Sequence, residues 1–238
     1  MLLDCYLAMT AAEFASCTAF PPKMAWMACH FSCYGTGLSN LPADLPPGAM
    51  LIVNDRTPIQ GHDPQLILQQ LEDLVAQVQP DSVLLDLQRP EQAQTAALVR
   101  VLTEGLSCPV GVSAIYAQDL ACPVFLDAPP PHHSLQTHIA PWQGRQIWLE
   151  AATGCWEMVV DGQGSQLHQT ADAPLPEPWF QDEATCCRYH VTHDQTQARF
   201  SFQRTAEDLQ EQLEQAKALG ITKYVGLYQQ LARKIDNF

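Results

Sequence analysis

The stretch Asp81-Ser82-Val83-Leu84-Leu85-Asp86-Leu87-Gln88-Arg89-Pro90 decides the fold. An apolar run separates Asp81 from Asp86 and then gives way to a polar cluster closed by proline. A short strand that is apolar on both faces suits a parallel sheet covered by helices, because a strand with one wet face alternates. In closed parallel sheets the chemistry gathers at the carboxyl ends of the strands. The strand is therefore expected to carry Asp86, Gln88 and Arg89 to a functional rim.

Working outward, further runs of strand length end in polar or turn residues: Ala25 to Ser32, Met50 to Asp55, Val110 to Ala114, Val124 to Asp127, and Gln146 to Glu150. Between the second of these and Asp81, Asp63 is placed as an N-cap and Pro64 as the first helical residue. Apolar residues then follow at helical spacing. A second helix is predicted over Glu91 to Leu106, with Ser107-Cys108-Pro109 as the turn into the next strand. Strand and helix in alternation imply right-handed parallel crossovers.

After Glu150 the texture changes. Trp156 to His168 reads as two alternating arms around a glycine-bearing turn, and Arg188 to Thr192 with Ala198 to Gln203 reads as a second hairpin. Between them Ala171 to Pro178, rich in proline and acid, is expected to be a surface loop. Thr205-Ala206-Glu207-Asp208 resembles a capping box, Gly220 a helix C-cap, Ile221 to Tyr228 a last strand, and Gln229 to Ile235 a closing helix. The fold class expected is α/β: one domain over residues 1–238, an irregular (β/α)8-type TIM barrel with β-hairpin excursions in its C-terminal half.

Charge excludes several partners. The chain has 12 Lys and Arg against 26 Asp and Glu, a net charge of −14, with no basic run to neutralise a row of phosphates. This acidic protein is a poor fit to nucleic acid or to an anionic membrane surface. The segment Met1 to Met9 is apolar but holds Asp4 and lacks the basic start of a signal peptide. The nine cysteines follow no disulfide or zinc spacing and read as small buried residues in a reducing cytoplasm. No metal and no cofactor is expected.

The strand at Asp81 resembles the signature of chitinase-like glycoside hydrolases of family eighteen, written D-G-x-D-x-D-x-E. Asp81 and Asp86 match the first and third acids. Ser82 stands for the glycine, Leu84 for the middle acid, and Gln88 for the catalytic glutamate. Residues 188 to 231 are similar too, as a hairpin, a helix and a last strand ending near an aromatic, here Tyr228. The resemblance implies a barrel in which one aspartate orients the substrate's acetamido group and a glutamic acid protonates the leaving oxygen. Asp86 retains the first role, but an amide at position 88 has no titratable proton and cannot serve as general acid.

Asp55, Asp127 and Glu150 each end an apolar run and would converge with Asp86 in a barrel. A pair of them can serve as acid and nucleophile or base. Alternatively they cap helices or pair with Arg56, Arg89 and Arg145. The loop from Cys29 to Gly37 places His30, Ser32 and Tyr34 near the pocket, while its Gly-x-Gly lacks the strand-to-helix context of a phosphate cradle. Pro129 to His133, with His138 beyond, is either a substrate or metal loop or a stiff connection with solvated histidines. There is no G-x-S-x-G elbow, and Trp148 is expected in the core.

Two functions follow. One is a glycosidase-like barrel with a substituted acid that binds a glycan or another small polar ligand without efficient hydrolysis, using His30, Asp55, Gln88, Arg89 and Tyr228. The other is an active glycoside hydrolase using Asp86, Asp127 and Glu150.

Overall fold

The computed structural model describes residues 5–33, 37–90 and 92–235. Tyr34, Gly35 and Thr36 of the expected pocket loop, and Glu91 at the expected start of a helix, lie outside the described residues. The strands are β1 (Cys5–Met9), β2 (Met24–Phe31), β3 (Leu38–Ser39), β4 (Met50–Asn54), β5 (Ser82–Asp86), β6 (Val110–Ser113), β7 (Val124–Leu126) and β8 (Ile147–Glu150). They continue with β9 (Gly154–Asp161), β10 (Gly164–Thr170), β11 (Phe180–Asp182), β12 (Cys187–His193), β13 (Gln197–Arg204) and β14 (Lys223–Leu227). The helices are α1 (Ala11–Ser16), α2 (Pro64–Val78), α3 (Ala93–Gly105), α4 (Ala114–Ala117), α5 (Leu135–Ile139), α6 (Ala206–Ala218) and α7 (Tyr228–Ile235).

Eight strands, β1, β2, β4 to β8 and β14, form a closed parallel barrel, with β3 added antiparallel beside β2. Closure comes from β1, which pairs with β14 on one side (Cys5↔Tyr224) and with β2 on the other (Leu7↔Met24). The chain is thus a (β/α)8 TIM barrel. Sequence reasoning missed β1, whose five residues are fully buried and carry no turn signal ahead of them.

Side-chain alternation sorts the apolar residues into two layers. Tyr6, Ala8, Ala25, Met50, Ile52, Leu84, Phe125, Trp148 and Val225 point into the barrel and pack on one another. Their alternate neighbours, among them Leu7, Leu51, Val53, Val83, Leu85 and Leu149, face out and pack beneath the helices. On α2 the buried stripe is Ile67, Leu71, Leu74, Val75 and Val78, and Asp63 caps the helix by accepting the Gln65 N–H at 2.9 Å, with Pro64 in the first turn.

At the amino-terminal end of the barrel Asp81 gathers three elements. Its Oδ2 accepts from the Tyr6 hydroxyl at 2.7 Å and from Lys223 Nζ at 2.8 Å. Lys223 Nζ also lies 4.4 Å from the centre of the Trp148 ring. Burial alone would raise the Asp81 pKa, but Lys223 and Tyr6 outweigh it and hold the carboxyl below its ordinary value. Asp81 therefore acts as a floor clamp between β1, β5 and β14.

Between β8 and α6 the chain builds a second sheet of five antiparallel strands, ordered β10-β9-β13-β12-β11. Both expected hairpins are present, β9 with β10 (Asp161↔Gly164) and β12 with β13 (His193↔Ala198). The long-range pairing of β13 with β9 joins them (Phe202↔Trp156). The excursion leaves the rim after Glu150 and returns at Arg204, one residue before Thr205 caps α6. That cap is the full box anticipated from sequence, with Asp208 reaching back to the Thr205 N–H at 2.8 Å. Gly220, at φ 86°, makes the turn after α6.

Candidate functional site

The carboxyl rim of the barrel closes over a small depression of about 80 Å³. Its apolar floor comes from inward residues one pleat below the rim, Ile52, Leu84, Phe125 and Val225, and its polar wall is Asn54, Asp86, Gln88, Asp127 and Glu150. On β5 the alternation that sends Leu84 inward sends Asp86 and Gln88 the same way, while Leu85 and Leu87 enter the outer core. Leu84 packs inward directly below Asp86, so Asp86 stands on apolar packing.

Gln88 is the hinge of the polar wall. Its Nε2 donates to Asp86 Oδ1 at 2.7 Å and to Asp127 Oδ1 at 3.2 Å. One amide nitrogen thus uses both of its hydrogens to bridge two carboxylates from neighbouring parts of the rim. Ionised carboxylates only accept, so the amide must turn its nitrogen toward them. The Ser113 hydroxyl adds a long contact to Asp86 Oδ1 at 3.4 Å and accepts the Leu87 N–H at 2.9 Å, which fixes the turn out of β5.

Glu150 completes the set from β8. Its Oε2 accepts the Ala128 N–H at 3.0 Å, tying it to the loop after β7. Burial pushes its carboxyl above the ordinary range; the Ala128 hydrogen bond opposes this, the charges of Asp127 and Asp86 add to it, and Arg204 opposes it again. Burial likewise raises Asp86, against the hydrogen bond from Gln88 and with support from Asp127 and Asp55.

These shifts have a sign that can be tested. The folded chain holds the two protons to higher pH than the unfolded chain, so folding takes up protons across that window. Stability therefore falls as pH rises from the ordinary carboxylate value toward the raised one. In Glu150→Gln that share of the fall should vanish. Urea midpoints measured from about pH 4 to about pH 7 should decline less for the variant than for the wild-type chain. Parallel declines would mean that Glu150 titrates normally.

The remaining residues singled out from sequence stand elsewhere. Asp55 is buried, and its two oxygens accept the backbone N–H groups of Gln88 (3.1 Å) and Arg89 (2.8 Å). Arg89 in return donates from Nε to the Asp55 carbonyl at 2.9 Å and from Nη2 to the Arg56 carbonyl at 3.1 Å. The pair clamps the loop that presents Gln88, and both border a side pocket shared with Tyr116 rather than the depression. His30 is half-buried with Nδ1 3.0 Å from the Ala28 carbonyl. Tyr228 is the first residue of α7 and packs against the outer core. Neither His30 nor Tyr228 lines the depression.

His138 Nε2 bonds the Asp127 carbonyl at 2.9 Å, and the His132 and His133 rings lie 4.3 Å apart. Among the described residues no three His, Cys, Asp or Glu side chains are grouped to hold a metal ion. Asn54, missed from sequence, ends β4 as the acids end their strands. Its Nδ2 holds the Met27 carbonyl at 2.8 Å, bracing the irregular part of β2.

No protein-family model matches the chain, and no curated protein matches it. Solved structures do. The C-terminal domain of a candidate chitinase from Desulfitobacterium hafniense superposes with a TM-score of 0.57 at 8% identity, covering 93% of this chain and 92% of that one. A candidate sporulation-specific glycosylase from Bacillus subtilis gives 0.55 at 9% identity, covering 85% and 90%. A family-18 chitinase from Cycas revoluta, in complex with (GlcNAc)3, gives 0.54 at 10% identity, covering 93% of each chain. The chain accordingly shares the barrel fold of these structures. Among the described residues no helix is long and apolar enough to cross a membrane.

Proposed function

We propose that this chain acts as one domain, a glycosidase-like barrel that binds a glycan at its carboxyl rim without hydrolysing it efficiently. The observation that carries this reading is the Gln88 amide, hydrogen-bonded to Asp86 and Asp127 at the place where the resemblance requires an acid. An amide there offers polar contacts and no proton to a leaving oxygen. The depression of about 80 Å³ is far below the roughly 300 to 1,000 Å³ of sites that enclose a whole ligand. It suits one substituent of a sugar, with the rest of the glycan lying across the rim. The apolar floor of Ile52, Leu84 and Phe125 would receive a methyl group, and Asp86 or Asp127 would accept from an amide or hydroxyl. The nine free thiols agree with a reducing, cytoplasmic setting.

Calorimetric titration with (GlcNAc)3, the ligand held by the Cycas revoluta chitinase, together with a product assay tests this. Binding without product release is expected, weakened about tenfold or more in Asp127→Ala. Rapid release of sugar by the wild-type chain would overturn it.

A second reading is an active hydrolase in which Glu150 is the acid. It is favoured by the raised carboxyl of Glu150, which faces the same depression as Asp86 and Asp127. The Gln88 bridge holds those two carboxylates close together on the rim. Any hydrolysis found should then disappear in Glu150→Gln and survive in Gln88→Met.

A further inference from the structure

The inserted sheet ends in two edges of opposite character. On one side β11 is three residues long, follows Pro178 closely and ends in Asp182. Short length, proline and charge are what blunt an edge against pairing with another chain. On the other side β10 runs for seven residues, Gly164-Ser165-Gln166-Leu167-His168-Gln169-Thr170, in unbroken register with β9 and with every residue exposed. It contains no acid, lysine, arginine or proline, in a chain of net charge −14. Among the described residues no backbone hydrogen bond from outside the sheet reaches it.

The hairpin settles which backbone groups of β10 are free. Its two-residue turn, Gly162-Gln163, makes Asp161 and Gly164 a directly bonded pair. Bonded and non-bonded positions alternate along an antiparallel ladder, so Gly164, Gln166, His168 and Thr170 spend their N–H and C=O groups on β9. Ser165, Leu167 and Gln169 aim theirs at the open side. The same three residues put their side chains on the apolar face of the sheet. There Leu167 stands opposite Met158, Met158 opposite Phe200, and Phe200 opposite Val191. Leu167, 38% exposed, is the bare end of that row.

We infer that β10 is a homodimer interface, at which two copies of the chain pair this strand antiparallel about a two-fold axis through Leu167. The strand is self-complementary in that register. Leu167 lies opposite its own copy and Ser165 opposite Gln169 on either side, so the outward N–H and C=O groups of all three are matched. A slip by one residue would set outward groups against groups already spent on β9. On the apolar face the two Leu167 side chains join the rows of both sheets into one band, and on the other face Gln166 meets the second copy's His168. No acid faces an acid along the paired strands. A foreign strand could use the same backbone groups, but a second copy is the one whose side chains this register already fits. Two seven-residue strands bury less than the roughly 1,600 Å² of a standard interface, so the dimer is a weak one. The inference does not rest on glycan binding at the barrel mouth.

Sedimentation velocity of the full chain from about 1 to about 200 μM tests this, with a monomer–dimer equilibrium expected within that range. Leu167→Lys, a change at an exposed position that sets two ammonium groups face to face, should raise the dissociation constant about tenfold or more. Gln169→Pro removes an outward N–H from each copy, leaves the β9 ladder intact and should weaken the dimer in the same way. Like net charges repel, so the dimer should tighten as salt rises from about 0.02 to about 0.3 M. Residue-resolved amide exchange locates the seam: the N–H groups of Ser165, Leu167 and Gln169 should slow at high protein concentration, while those of Gln166 and His168 are slow throughout. A chain that stays monomeric across the range would overturn the inference. So would a dimer that is unchanged in both variants, loosens with salt, or forms without slowing those three amides.

Discussion

Gln88→Glu is expected to raise glycoside hydrolysis by about 10² to 10⁴ over the wild-type chain, the span that a well-placed general acid contributes. The new carboxyl would stand where the amide now bridges Asp86 and Asp127. Two neighbouring carboxylates disfavour a third charge, so the introduced acid should keep its proton well above the ordinary range. A protonated acid has one hydrogen where the amide has two, and one of the two contacts is lost. That leaves a partly unsatisfied carboxylate, at a cost of about 1 to 3 kcal/mol in stability. The expected profile is a less stable protein that releases sugar, with a rate that declines as the introduced acid ionises. Gln88→Met is the control: it breaks the bridge but supplies no proton, and should gain nothing. If Gln88→Glu binds (GlcNAc)3 as the wild type does and still releases no product, position 88 is not the acid position and the family resemblance stops at the backbone.

The second large effect concerns the plug of the barrel. Trp148→Ala is expected to cost about 3 to 5 kcal/mol, the usual range for deleting a large buried aromatic. Trp148 is 1% exposed, and its ring fills space that Gly111 on β6 leaves open; a Cβ at Gly111 would overlap the ring. Gly111→Ala should therefore destabilise as well, and much of that loss should return when Trp148 is trimmed to Leu in the same chain. Such contacting pairs couple by about 0.5 to 3 kcal/mol. Among the described residues the buried indole Nε1 has no acceptor. Trp148→Phe should then cost less than its lost volume suggests, since it also removes an unsatisfied donor. Denaturant midpoints for these chains decide this, and strictly additive losses would mean that the two residues do not share the space.

Strands β4 to β8 are legible because each is a short apolar run bounded by polar or turn residues. The start of α2 is legible because Asp63 and Pro64 leave few alternatives. Cys5 to Met9 is not: five apolar residues are too few to show a period, and their identity as a strand depends on partners at Met24 and Tyr224. The hairpins could be read from alternation around glycine and aspartate. The pairing that turns two hairpins into one sheet, β13 with β9, joins residues 36 to 50 apart in the chain and leaves no local mark.

The site divides in the same way. That Asp86, Gln88, Asp127 and Glu150 end strands is written in the sequence, and a barrel gathers strand ends. That Asp55 serves the backbone of Gln88 and Arg89, and that Tyr228 turns into the outer core, depends on loop conformation that spacing does not encode. The free edge of β10 is hidden for a related reason. Gly164 to Thr170 reads as one arm of a hairpin, and its outer side stays bare because β13 takes the far side of β9 instead.

The seam between β1 and β14 has a consequence for synthesis. Cys5 finds its lateral partner at Tyr224, so the backbone groups on that edge of β1 stay unmatched while nearly all of the intervening chain is being made. Such distant pairings carry a large loop-closure cost and slow the final step of folding. A nascent chain halted before Lys223 would expose an open, apolar strand edge on each side of the gap, the kind of surface that aggregates. Ribosome-bound intermediates of this protein should depend on chaperones until its last barrel strand emerges.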